Sequence, residues 1–282
     1  VHALVQGIHP KSGISFPISV PRSMLDTFAT GLIDLKFLNG RSAQALSLSA
    51  QQTTLQAIDT MGLSISQPTL VVIGGASSMS LESLQQLQTV FDQVLAPLAE
   101  ELHLTVLDGG TDAGVIRMMG QARSQVGGSF PLIGVVPQGK AKLPNGDGLT
   151  TNDDSRHELE PHHTNFFLIP GQDWGSESPW LVDLATHISA GQRALTILIN
   201  GGKVALTDLN ANLSAGRSTL VMAGSGRLAD EVATAMTRAT EAKPQLVELV
   251  QEYQANGKLE LISFDMPMDE MRDRIQRYFV DT

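Results

Sequence analysis

One pattern recurs along this chain and limits what it can fold into: an apolar run, a turn of small residues, then a helix-like stretch. Leu104–Gly114, LTVLDGGTDAG, shows it most fully. The run Leu104 to Leu107 ends in Asp108, two glycines, a hydroxyl, a carboxylate and a third glycine, and a helical stretch follows from Val115 to Ala122. Such a strand-to-helix turn leaves backbone N–H groups at a helix N-terminus open to a phosphate. The same device follows Thr69–Ile73 (GGASS), Asn165–Ile169 (PGQDWGSES), Ala194–Ile199 (NGG) and Ser218–Ala223 (GSGR). With Pro131–Val136 and Leu259–Ser263 this makes about seven strands. The expected fold is α/β: a Rossmann-like three-layer αβα sandwich with a mainly parallel sheet.

Helices are expected over Leu81–Leu102, capped by Ser80 and kinked near Pro97, then about Pro179–Ala190, Val204–Ala215, up to Ala239, Pro244–Ala255 and Met268–Phe279. Residues 1–66 read as a small N-terminal extension. Val1–Ile8 and Ile14–Val20 look like strands, Ser23–Thr30 like a helix, and 43–61 like a weaker helix. Residues 67–282 form the main domain. Residues 141–161 are a long polar excursion of the kind that often serves function.

The 282 residues are 42% hydrophobic and 17% charged, with a formal net charge of -10. Duplex nucleic acid is not the expected partner, because phosphate neutralisation needs clustered positive charge. There is no cysteine, so disulfide and thiol chemistry are excluded and a cytoplasmic location is expected. No apolar stretch is long enough to span a membrane. VHALVQGIH lacks the basic and apolar regions of a signal peptide, and Val1 in place of Met fits a processed chain or a piece of a longer one.

Ligands of such sheets bind outside the carboxyl ends of the strands, where the small-residue loops gather. The expected contacts there are Gly74, Gly75, Ala76, Gly109, Gly110, Thr111, Asp112, Gly114, Pro137, Gly139, Gly171, Trp174, Gly175, Ser176, Glu177, Gly224, Ser225, Gly226 and Arg227. Gly224–Arg227 offers N–H groups, a hydroxyl and a guanidinium fork to a phosphate. Asp112 is read as a cap or a ribose contact that turns away from phosphate. Trp174 stacks on a base or anchors its loop. Glu177 caps the next helix, bonds a ribose hydroxyl, or assists glycosidic cleavage. Asp230 and Glu231 lie in a first helical turn and suit its dipole. There is no Walker A loop and no strict GxGxxG. His157, His162 and His163 with Glu158 and Glu160 lack a metal-ligand spacing, and adjacent histidines point apart in an extended chain, so no metal is expected.

The order VVIGGAS, LDGGTDAGVIRMMG, LIGVVPQG, LEPHHTNFFLIPG, WGSES, ILINGG and VMAGSGRLADEVA resembles the SLOG superfamily over about Thr69 to Ala239. It is most similar to the LSDAT group, the prokaryotic relatives of the N-terminal region of TRPM channels. More distant members are the LOG phosphoribohydrolases and DprA. The resemblance implies a domain that binds a nucleotide-derived ligand such as ADP-ribose, NAD or a cyclic relative, with no resident cofactor. Its output is expected through a homo-oligomer or a fused or partner effector domain. In LOG enzymes a PGGxGTxxE loop carries a catalytic glutamate. Pro170 to Glu177 stands there with altered spacing, Ser176 replacing Thr. That weakens a phosphoribohydrolase reading and leaves Glu177 as the candidate. Asn165 and His163 are implied at the ligand edge or in structure. The alternatives are such an N-glycosidase and an oligomerisation module that has lost its ligand.

Overall fold

A computed structural model describes residues 2–8, 15–21, 31–144 and 155–280. The strands β3 (Gly31–Lys36), β4 (Ser42–Ser47), β5 (Thr69–Gly74), β6 (Thr105–Asp108), β7 (Leu132–Pro137), β10 (Asn165–Ile169), β11 (Ala194–Ile199), β12 (Ser218–Ala223) and β13 (Leu259–Ser263) make one sheet. Its order is β13-β12-β11-β5-β6-β7-β10-β4-β3. Only β3 runs antiparallel to its neighbour. Two short strands, β8 (Ala141–Lys142) and β9 (His157–Glu158), pair with each other and tie down both ends of the polar excursion. The strands β1 (His2–Ile8) and β2 (Ser15–Pro21) form an antiparallel pair.

Alternation along the strands feeds two cores. Val71 and Ile73 of β5 face one, with α1 (Thr54–Thr60), α5 (Ser178–Ser189), α6 (Lys203–Ser214), α7 (Arg227–Thr237) and α8 (Pro244–Ala255). Leu70 and Val72 face the other, with α2 (Leu81–Val90), a π-helical turn (Phe91–Leu95), α3 (Ala96–Glu101), α4 (Gly114–Gln125) and α9 (Met268–Gln276). This is the αβα sandwich. Among the described residues no helix is long and apolar enough to cross a membrane.

The structure corrects four expectations. The sheet has nine strands rather than about seven, because β4 pairs in parallel with β10 and β3 follows it. Residues 31–60, expected within a small N-terminal extension, are therefore joined to the sheet. The helix expected over 43–61 is a strand, Ser42–Ser47, followed by a helix, Thr54–Thr60. SAQALS favours a helix locally, but pairing with β10 buries Ala43, Ala45 and Leu46 and overrides that preference. The long helix at 81–102 widens into a π turn before Pro97, which has no N–H and crowds the preceding turn. The helix expected at Ser23–Thr30 lies outside the described residues.

Gly110 sits where a side chain has no room. Its φ is +66°, and an added Cβ would stand 2.7 Å from Val136 Cγ2 and 2.9 Å from Gly134 Cα. Gly127 has φ +62° with open space around it. Gly127→Ala should cost about 1–2 kcal/mol, the left-handed strain alone. Gly110→Ala should cost roughly 3 kcal/mol or more, as overpacking adds to that strain. Urea unfolding of the two variants measures the difference.

Candidate functional site

The strand β6 has four residues and stops early. Val71 pairs with Leu107, and Asp108 pairs with Gly134, so Asp108 lies level with Val72. On one side β5 continues to Gly74, and on the other β7 continues to Pro137. The turn after Asp108 fills the notch toward β7 and leaves the edge of β5 open. A cleft of about 290 Å³ lies there. Gly74 to Ser77, Gly109, Thr111, Ala113, Gly114 and Ile116 form one wall; Glu177, Leu181, Val204 and Asp208 form the other. His157 and Trp174 add an edge-to-face pair, ring centroids 5.4 Å apart, on the solvent side. The position follows from topology. The chain leaves β5 toward one face of the sheet and leaves β11, its neighbour, toward the other, and that reversal opens a crevice at the carboxyl edge.

A buried network holds the near wall. Asp108 Oδ1 accepts from Gly110 N–H at 2.8 Å and from His163 Nε2 at 2.9 Å. His163 Nδ1 reaches Glu160 Oε2 at 2.9 Å, and His162 Nδ1 reaches Glu160 Oε1 at 2.5 Å. The adjacent histidines thus converge on one carboxylate instead of pointing apart, because the chain turns at 161–162. Backbone bonds from Glu160 N to Gly110 O (3.0 Å) and from Asp112 N to Glu158 O (2.8 Å) complete the junction. His163 is wholly buried. Burial pulls its pKa down, but the Asp108 and Glu160 carboxylates on both ring nitrogens outweigh that and hold it at about 9. One oxygen of Asp108, Oδ2, is buried with no hydrogen-bond partner among the described residues.

The far wall carries two carboxyl groups. Glu177 stands at the N-cap of α5 yet makes no cap bond; its Oε2 accepts from Gly175 N–H at 2.7 Å. Burial first, and then the charge of Asp208, push its pKa up to about 7. Burial pushes Asp208 up to about 6, although Ser178 Oγ donates to it at 2.5 Å. Across the cleft, Ala113 before α4 has no capping side chain, so the first-turn N–H groups of α4 lack that partner. The wall with uncapped N–H groups is thus chemically distinct from the wall with proton-holding carboxyls.

The structure brings together Gly74, Gly75, Ala76, Gly109, Thr111, Gly114, Trp174 and Glu177. Gly110 lies just behind, packed on β7. Asp112 turns to Arg117, 2.6 Å away, and lines a neighbouring cleft. Pro137, Gly139 and Gly171 belong to a brace in which Gly139 N–H donates to Gly171 O at 2.9 Å. Ser176 Oγ donates to Asp173 O, and Gly175 serves Glu177. Asn165 opens β10, away from its carboxyl end. Gly224–Arg227 does not line the cleft. β12 is two strands from β5, about 10 Å, and the Asn200 loop lies between. The Ser225 hydroxyl is used twice, accepting from Asn200 N–H and donating to Met222 O. Gly224 N–H is taken by Asp230, and Glu231 pairs with Lys243. Arg227 lies over Gly202. Sequence reasoning missed Asp208, His157 and the role of Asp108. Asp208 had a signal: with Asn212 it shares the buried face of α6 formed by Ala205, Leu209 and Leu213, where a carboxyl is out of place.

The His163 network makes stability depend on pH in a definite sense. Its folded pKa of about 9 lies above the ordinary value of 6.5. The stabilisation is therefore complete below about pH 6.5 and is lost as pH rises through 9. Between pH 7 and 9 the unfolding free energy should fall by roughly 2 kcal/mol. That fall should be absent in His163→Gln, by urea unfolding across the same range.

The family model described as "SLOG in TRPM, prokaryote" matches residues 67–269. Among curated proteins nothing matches. Similar solved structures include TM1055, a structural genomics target, at 15% identity and TM-score 0.46, covering 74% of this chain and 99% of that one. Another is the molybdenum cofactor binding protein of the phototrophic bacterium Rippkaea orientalis, at 11% identity and TM-score 0.46, covering 76% and 98%. The family match spans well over half of the sequence, and the chain belongs to the prokaryotic SLOG-in-TRPM family.

Proposed function

We propose that the cleft above β6 binds a nucleotide-derived ligand of the ADP-ribose, NAD or cyclic relative class, and that the protein senses it. The observation that carries this reading is the division between the two walls. The uncapped N-terminus of α4 and the backbone of Gly74–Ser77 suit a diphosphate. Glu177 and Asp208 opposite suit ribose hydroxyls, which can donate to a carboxylate or accept from a carboxylic acid. Trp174 and His157 give a base a ring to lie against. Arg227 stands outside this set. The output is a change in association between copies of the chain or in an attached or partner effector.

One observation favours a second reading, an N-glycosidase. Two buried carboxyls with raised pKa values, about 7 and about 6, face one cleft, an arrangement suited to acid–base work near neutrality. Glu177 in its acid form would give its proton to the departing base while water adds to the ribose carbon it leaves and gives up a proton to the Asp208 carboxylate.

A thermal-shift panel of AMP, ADP, ADP-ribose, cyclic ADP-ribose, NAD and cyclic nucleotides, with the same mixtures checked for free base, separates the two. A ligand that binds the native state raises the Tm. A shift with intact ligand supports the sensor; released base that disappears in Glu177→Gln supports the glycosidase. Neither shift nor product would contradict both. The electrostatics also predict a pH profile. Glu177 and Asp208 gain negative charge as pH rises through 6 and 7 and repel a diphosphate. ADP-ribose affinity should fall roughly tenfold between pH 5.5 and 8. Titration calorimetry on Glu177→Gln should show most of that fall removed.

A further inference from the structure

The cleft does not end at the start of α4. Ala76, Ser77 and Gly114, which line it, also line a second cavity, a groove of about 380 Å³ between α2 and α4. The two spaces meet over a low saddle of backbone. Gly114 has φ +50°, and a Cβ added to it would stand 3.2 Å from Ala76 N and 3.6 Å from Gly75 Cα. The loop after β5 therefore rests directly on the first residue of α4. The side chains at the crossing, those of Ala76 and Ser77, are both short.

Both helices build the groove from positions one turn apart, which share a face: Leu84 and Gln88 on α2, Arg117 and Gln121 on α4, with Met118 beside them. Gln121 stands seven residues beyond Gly114, so the groove runs about 10 Å along α4. Leu84 and Met118, each half-buried, give it an apolar flank on either helix. Gln88 Nε2 is committed twice, to Asp92 Oδ1 at 2.8 Å and to Met118 O at 3.4 Å. Those bonds tie α2 to α4 and leave Gln88 Oε1 as an oriented acceptor with no partner among the described residues. Gln121 is exposed at the outer end and carries a second amide. Asp112 holds Arg117 through Nε at 2.6 Å, which places a fixed cation one turn from the saddle. No carboxylate lines the groove.

This set differs from that of the cleft: two amides and two apolar flanks, with no acid. A planar ring between Leu84 and Met118 gains apolar contact on both faces, and the Met118 thioether favours an aromatic partner. An NH2 group on that ring can donate to Gln88 Oε1. We propose that the ligand has two base-bearing ends joined by a diphosphate. One nucleoside lies in the cleft, the diphosphate crosses the saddle, and the second base enters the α2–α4 groove, where Gln88 and Gln121 read its polar edge. This rests on the reading of the cleft as a nucleotide site and narrows it to dinucleotides. NAD meets the description, and each of its rings carries an NH2 group; ADP-ribose, with one base, meets it in part.

Titration calorimetry of NAD and of ADP into the full chain tests this, because ADP stops at the diphosphate. A helical side chain covers the turn before its own Cα, so Gln121→Trp fills the groove from an exposed position. Gln88→Met keeps the side-chain length and removes the acceptor without adding bulk. Gln251→Trp, at an exposed position on α8, is the control. The expected result is that Gln121→Trp weakens NAD roughly tenfold or more and leaves ADP within about threefold of wild type, while the control changes neither. Gln88→Met should move NAD in the same direction, again without ADP. NAD affinity unchanged in Gln121→Trp, or a fall that ADP shares equally, would overturn the inference and leave the cleft reading standing. Binding of neither ligand by wild type would remove the cleft reading, and the inference with it.

Discussion

The hydrogen bonds that converge on Asp108 are the constraint on which the rest of this molecule depends. The Asp108 carboxylate ends β6, fixes the turn through Gly110 N–H, and pairs with His163 at a wholly buried position. Through Glu160 the same network holds the returning limb of the polar excursion against the turn. Without it β6 would have no defined stop, and the open edge of β5 would have no wall facing it. A buried Asp–His–Glu set is expensive to assemble and holds only with its partners in place. Its reward is positional: it sets Thr111, Ala113 and the start of α4 at one side of the cleft, and it brings His157 to the other end, beside Trp174.

Charge is distributed with the same economy. The chain is acidic overall, yet the carboxyls at the cleft are those that burial keeps partly protonated near neutral pH. Among the described residues no lysine or arginine lines the cleft.

Much of this was legible in the sequence, and the boundary of legibility is physical. The seven expected strands are present because a wholly apolar run between small residues has few other ways to be buried. The loops at 74–76 and 109–114, Trp174 and Glu177 were readable as one edge, since the strand–turn–helix repeat puts every such loop at the carboxyl end. Which loops meet was not readable. Strand order is set by long-range packing, and it leaves Gly224–Arg227 one neighbour too far, its polar groups spent on the Asn200 loop. The strand at Ser42–Ser47 was hidden by residues that favour helix when alone. His157 reaches the cleft only through the pairing of β8 with β9 and the Asp108 network, neither of which leaves a local signature.

The central claim is that the space above β6 is a ligand site. Gly75 gives the most direct access to it. The residue lines the cleft, and a Cβ added there meets no atom within 4 Å. Gly75→Leu would thus fill the site without disturbing the fold. Titration calorimetry of ADP-ribose and NAD into wild type and this variant is the measurement. The account predicts binding to wild type that weakens at least a hundredfold in Gly75→Leu, with the Tm of the unliganded protein unchanged. Undiminished binding by the variant would place the ligand elsewhere and contradict the account.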